Sequence, residues 1–169
     1  RLLNNMQHEN IFDSAPPPLI TARYGLPTAM EEMEDHEPCT MEWGATQGEW
    51  GPVVGSDGSG FDSDVPEMMQ CGWAVVQLDE AGWPIRAKYG SLPGKIQTVG
   101  RAERQAALEA IKTVKGLSMI IVDLKGLEEE GNRWDEQLAS AKSTHATLWR
   151  QIFAAHGRKN VDAPKFRWV

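Results

Sequence analysis

Between residues 53 and 123 the chain passes through three strand-length apolar segments, one long helix-patterned stretch and a fourth strand. This succession limits the fold more than any other feature. Val53 and Val54 begin a short strand that runs into Ser56-Asp57-Gly58-Ser59-Gly60. After a polar, acidic stretch over 61–70, Cys71 to Leu78 reads as a second strand. Asp79-Glu80-Ala81-Gly82 reads as a hairpin turn. Trp83 to Ser91 is a third strand, with Pro84 suited to a strand start or edge. These three predict an antiparallel meander. Ala102, Ala106, Ala110 and Val114 then recur at the helical period. Lys112 and Lys115 fall where the helix dipole favours cations, and Gly116 stops the helix. Ser118 to Asp123 is a buried-type strand, followed by a short helix near residues 124–130 that Gly131 ends. Residues 144–156 make another amphipathic helix, and Pro164 to Val169 a last strand. The order β-β-β-α-β-α-α-β predicts a compact α/β domain over residues 50–169.

Residues 1–49 read differently. Pro16, Pro17 and Pro18 form a stiff extended piece. Thr28-Ala29-Met30-Glu31 is a capping-box pattern that predicts a short acidic helix near residues 28–36. Gly44, Gly48 and Gly51 then loosen the chain. Met30, Met33 and Met41 read as loose apolar contact with a partner domain, or as nothing specific. We read this segment as a leader or connector without a core of its own. It carries two basic and nine acidic residues, a balance of −7 that equals the net charge of the whole 169-residue chain. Residues 50–169 are therefore neutral, and residues 99–169 carry 12 basic against 9 acidic residues. A phosphate-contacting surface in the C-terminal half is permitted by this charge, though not required by it. The chain begins with Arg1, as expected of a piece of a longer polypeptide.

Three acidic residues stand at unusual places. Asp57 follows an apolar strand start and precedes Gly58-Ser59-Gly60, Glu103 lies in the first turn of the strong helix, and Asp123 ends the Ile120-Ile121-Val122 strand. Each has an ordinary reading when taken alone: a turn, a favourable helix N-terminal charge, and a cap after a strand. If the three elements pack together, however, the carboxylates converge on one rim. Converging carboxylates repel one another and are costly to bury without a cation. Hard divalent ions prefer such oxygen ligands, and two of them together can drive phosphodiester hydrolysis.

The three motifs and their order resemble the type 1 ribonuclease H family. The residues that carry the resemblance are Asp57-Gly58-Ser59, Arg101-Ala102-Glu103 and Val122-Asp123, supported by Trp134, His145-Ala-Thr-Leu148-Trp149 and Phe166-Arg167-Trp168-Val169. The match spans residues 50–169 and is greatest to the ribonuclease H domains attached to retroelement reverse transcriptases. It implies a ribonuclease H-like mixed five-stranded sheet, an antiparallel meander followed by parallel strands, flanked by helices. It further implies a metal-dependent endonuclease for the RNA strand of RNA–DNA hybrids. Asp57, Glu103 and Asp123 would be catalytic and would hold two Mg²⁺ ions, with Mn²⁺ as a substitute. Gly58, Ser59, Arg101, Trp134 and Lys125 would contact the substrate, and an adjoining reverse transcriptase domain would be a partner. In that family a histidine loop and a fourth carboxylate come after the last strand. Neither has a counterpart up to Val169, so the domain is expected to be truncated at its C-terminus. The competing reading is a non-catalytic connector or nucleic-acid-binding module of the same fold. A 3′–5′ exonuclease of the same superfamily is disfavoured because position 59 is serine rather than glutamate.

Among the other residues, Trp73 and Trp149 are expected in the core, while Trp134 is divided between core packing and contact with the hybrid. Arg101 and Arg104 read as solvated helix charges more readily than as phosphate contacts. Lys125, Arg133 and Lys142 form either a basic face or a scattered surface. The two cysteines, Cys39 and Cys71, lack metal-ligand spacing, and no secretory leader or membrane-length apolar run is present. An intracellular location, nucleus or cytoplasm, is expected, with no membrane partner.

Overall fold

The computed structural model describes residues 40–44, 48–61, 69–157 and 163–169. Its strands are β1 (Thr40–Gly44), β2 (Val53–Phe61), β3 (Gln70–Leu78), β4 (Pro84–Ser91), β5 (Met119–Val122) and β6 (Lys165–Trp168). Its helices are α1 (Val99–Thr113), α2 (Lys125–Arg133) and α3 (Ala146–Gly157), with a 3-10 turn at Glu136–Ala139. The strands form one sheet in the order β1-β4-β3-β2-β5-β6. The meander β2-β3-β4 is antiparallel, as expected. β5 and β6 add to it in parallel.

Among the described residues the sheet has six strands where five were expected. The extra one, β1, comes from the segment read as a leader. Thr40-Met41-Glu42-Trp43 lies antiparallel to β4, with Met41 opposite Tyr89 and Trp43 opposite Ala87. Five residues ending in a glycine gave too short a pattern to read as a strand, and the partner edge that orders it is more than forty residues away. Met41 is thus part of the sheet. Pro16–Pro18, the helix expected near 28–36, Met30 and Met33 lie outside the described residues.

Two further expectations change. The short strand begun by Val53 and Val54 does not stop at Ser56-Asp57-Gly58-Ser59-Gly60 but continues through it as β2, paired residue by residue with Cys71–Val75, so the turn these residues suggest when taken alone is absent. Gly131 does not end α2. It lies inside the helix, where the Phe166 ring of β6 occupies the place a Cβ would take and so leaves room only for glycine.

Helix α1 starts at an N-cap, with Thr98 Oγ1 accepting from Arg101 N–H at 3.3 Å. Its residues Ala102 to Ile111 are all buried, because the sheet lies on one side and α3 on the other. The alanines let it approach both. Trp149 and Ile152 of α3, Val54 and Val75 of the sheet and Val122 of β5 complete the core. Trp73 and Trp149 are buried as expected, and each indole N–H finds a partner: Ser91 O at 3.1 Å and Glu130 Oε2 at 3.2 Å. Among the described residues, no helix is long and apolar enough to cross a membrane.

Candidate metal centre

The register of β2 places Val54, Ser56 and Gly58 on the face that α1 covers, and Asp57 on the opposite one. α1 crosses β2 directly over Gly58, where any Cβ would collide with the backbone of Ala102 and Glu103. Glycine is required here for that close approach, not for a turn. The crossing delivers Glu103, in the second turn of α1, to the strand that carries Asp57. β5 lies parallel to β2, with Gly55 opposite Ile121, so Asp123 emerges one residue past the end of the neighbouring strand.

One carboxylate oxygen from each of Asp57, Glu103 and Asp123 lies within 4.8 Å of the others. Asp57 and Asp123 are exposed, and Glu103 is 3% exposed. Glu103 Oε2 is buried with no hydrogen-bond partner. A buried carboxylate oxygen left unpaired costs free energy unless something outside the protein's own donors meets it. The electrostatics agree. Burial first, then repulsion from Asp123 and Asp57, pushes the Glu103 carboxyl from 4.5 up to about 8, against the pull of the Gly58 N–H. Burial, then Asp123, raises Asp57 as well. The donor set is all oxygen, crowded and under mutual repulsion, which is the chemistry that suits a hard divalent cation.

The raised Glu103 carboxyl has a stability consequence. Between pH 4.5 and about 8 the unfolded chain gives up this proton while the folded chain keeps it. In chelator the protein is therefore expected to lose stability as pH rises through that window and to level off above it. Glu103→Gln should flatten the profile and raise the melting temperature at pH 8. Thermal melts of both proteins across pH 5 to 9 in EDTA check this (about the window set by the two values), and parallel profiles would remove repulsion at Glu103 as their cause.

The other sequence-predicted site residues are placed as follows. Gly58 and Ser59 belong to the site strand, with Ser59 exposed on the Asp57 face. Arg101 sits in the first turn of α1, its Nη1 donating to Ile96 O at 3.2 Å. Lys125 opens α2 just past Asp123, exposed, with Nζ 5.9 Å from the Trp168 ring centroid. Trp134 caps the C-terminal end of α2. Its ring lies half-buried against Phe153, His156 and Phe166, at centroid distances of 5.5, 4.7 and 6.5 Å. Arg104 is not a solvated charge. It is buried and donates to Glu130 Oε2 from Nε at 3.0 Å and Nη2 at 2.6 Å. Arg133 and Lys142 are exposed. The sequence places Trp168 only in the last strand; in the fold its indole N–H donates to the Asp123 carbonyl at 3.0 Å. No local pattern announces a contact across 45 residues.

No protein-family model and no curated protein matches the chain. Solved structures do. The solution structure of the PFV RNase H domain matches with a TM-score of 0.54 and 20% identity, over 72% of this chain and 80% of that one. The native protease–reverse transcriptase of prototype foamy virus matches with a TM-score of 0.53 and 20% identity, over 69% of this chain and 17% of that much longer one. A type 1 RNase H with the type 2 active-site motif matches with a TM-score of 0.50 and 21% identity, over 70% of this chain and 63% of that one. The fold of this chain is that of ribonuclease H.

Proposed function

We propose that this chain is a metal-dependent endonuclease that hydrolyses the RNA strand of RNA–DNA hybrids. The observation that carries the reading is the meeting of Asp57, Glu103 and Asp123 within 4.8 Å, with one buried Glu103 oxygen unpartnered. The ribonuclease H fold of the matched structures supports it. Asp57, Glu103 and Asp123 would hold Mg²⁺, two ions in the full reading, with Mn²⁺ as a substitute. Such ions supply an activated water and neutralise charge on the phosphate and leaving oxygens.

The chain's own residues do the positioning. Asp57 and Asp123 sit at or beside strands of one sheet, and Glu103 on a helix that cannot shift without lifting off Gly58, so the three ligands are held on rigid backbone. Three carboxylates alone would repel an anionic backbone, so the substrate must arrive with cations in place. Arg101 and Lys125 lie in the first turns of α1 and α2, the helices that begin beside Glu103 and Asp123, and they would meet phosphates of the hybrid. Ser59 offers a hydroxyl on the Asp57 face for a sugar or phosphate oxygen. Preference for a hybrid would come from groove shape and 2′-hydroxyl contacts rather than base reading. An adjoining reverse transcriptase domain as partner, and an intracellular setting, are part of the same proposal.

The test is incubation of the chain with end-labelled RNA–DNA hybrid, single-stranded RNA and duplex DNA, in Mg²⁺ or Mn²⁺ and in EDTA. Cleavage confined to the RNA of the hybrid and abolished by EDTA is the expected result. An intact hybrid under all conditions, or equal cutting in EDTA, would overturn the proposal.

A further inference from the structure

Asp123 has an unusual position for a residue that must hold its carboxylate still. It lies one residue beyond the end of β5, and among the described residues the ladder to β2 stops at Ile121. On its other side α2 begins with Leu124 as N-cap, which makes no side-chain capping bond. Neither neighbour in sequence nor the central strand fixes the two peptide units that flank Asp123. The end of β6 does. Val169 N–H donates to the Val122 carbonyl at 3.1 Å, and the Trp168 indole N–H donates to the Asp123 carbonyl at 3.0 Å. One bond holds the peptide before Asp123 and the other the peptide after it. Trp168 is itself tied to α2, its backbone N–H donating to Glu128 Oε1 at 3.2 Å.

We infer that Trp168 is a positioning residue for the metal centre: its indole N–H fixes the backbone of Asp123 from the edge strand, and so sets where the third carboxylate stands. The inference rests on the metal-site reading above. Nothing in the core demands this tryptophan. Its side chain is among the exposed large apolar groups, 48% exposed, whereas the position two residues before it, Phe166, is 3% exposed and packs into the core. An indole that stays at the surface while its N–H is spent on the ligand's backbone is placed for that bond rather than for burial. Its ring serves a separate purpose, lying beside the Lys125 ammonium at 5.9 Å.

Trp168→Phe separates the two roles, since it keeps an aromatic ring for Lys125 and removes the N–H donor. Mn²⁺ binding to the full chain is measured by calorimetric titration, alongside metal-free melting temperature, with Trp83→Phe as a control at an exposed tryptophan of the β3–β4 hairpin. The expected result is about a fivefold weaker Mn²⁺ affinity for Trp168→Phe, which corresponds to about 1 kcal/mol of binding free energy. Its melting temperature should match the parent's, and Trp83→Phe should change neither quantity. Parent-like Mn²⁺ affinity in Trp168→Phe overturns the inference, and so does an affinity loss accompanied by an equal fall in stability, which would make the residue merely structural. Absence of Mn²⁺ binding in the parent chain itself would overturn the metal-site reading, and this inference with it.

Discussion

Asp123→Asn is expected to lower metal-dependent cleavage of an RNA–DNA hybrid by at least about a hundredfold, or about 2.7 kcal/mol of transition-state stabilisation, and to leave the fold intact. The amide keeps the size of the carboxylate and the backbone bonds to Trp168 and Val169, so nothing that orders the β5 end is lost. What it removes is one anionic ligand of three. It also removes the largest repulsion acting on Asp57 and Glu103. The variant should therefore melt no lower than the parent in EDTA and gain less stability from Mg²⁺ or Mn²⁺. This pairing of outcomes is diagnostic. A catalytic metal centre predicts lost cleavage with retained metal-free stability. A non-catalytic module of the same fold predicts that parent and variant are alike in leaving the hybrid uncut. A variant that cuts as fast as the parent would show that Asp123 is no ligand of the working site. Single-turnover cleavage, measured beside thermal melts with and without metal, separates the three.

How much of this could be read from the chain depends on whether the deciding interactions are local. The meander, α1 and β5 arise from hydrophobic period and turn residues, which are short-range signals. Asp57, Glu103 and Asp123 were legible because each occupies an element end and because their order matches a known family. The structure adds the fact that they meet. Gly58 is expected from the sequence to contact the substrate; its packing role is hidden because a glycine between aspartate and serine carries turn chemistry, and only the crossing of α1 above β2 shows that the missing Cβ serves close packing inside a strand. Gly131 was misread for the same reason, its partner being a ring on β6 thirty-five residues away. β1 was hidden because its order comes from the edge of β4, not from its own five residues. Trp134 illustrates the opposite case. Its two readings were balanced in the sequence, and the structure places its ring on Phe153, His156 and Phe166.

Arg104 is the clearest instance of a residue whose neighbours in space reverse its meaning, and it leads to the second large effect. On the sequence it is a surface charge beside Glu103. In the fold it lies 5% exposed, and a single oxygen of Glu130 accepts from its Nε and Nη2 and from the Trp149 indole. Those three donors sit on α1 and α3 and the acceptor on α2, so one carboxylate joins all three helices. The remaining guanidinium nitrogen donates to Gly100 O at 2.6 Å. Such a pair contributes little net stability when whole, since both charges are taken from water, but removing one partner strands the other. Glu130→Ala leaves the buried guanidinium with one carbonyl and frees the Trp149 N–H. The Glu130 side chain is 26% exposed, so water reaches the gap, and the expected loss sits at the lower end of the range for broken buried pairs, about 3 kcal/mol. For a domain of this size that lowers the melting temperature by about 10 °C. The decisive companion is Arg104→Met in the Glu130→Ala background, which removes the stranded charge and keeps an unbranched side chain against α1's neighbours. It should recover more than half of the lost stability. Urea melts of parent, single and double variants read this directly. A single variant within about 1 kcal/mol of the parent would class the pair with ordinary surface salt bridges. A double variant no more stable than the single would place the loss in packing rather than in the orphaned charge.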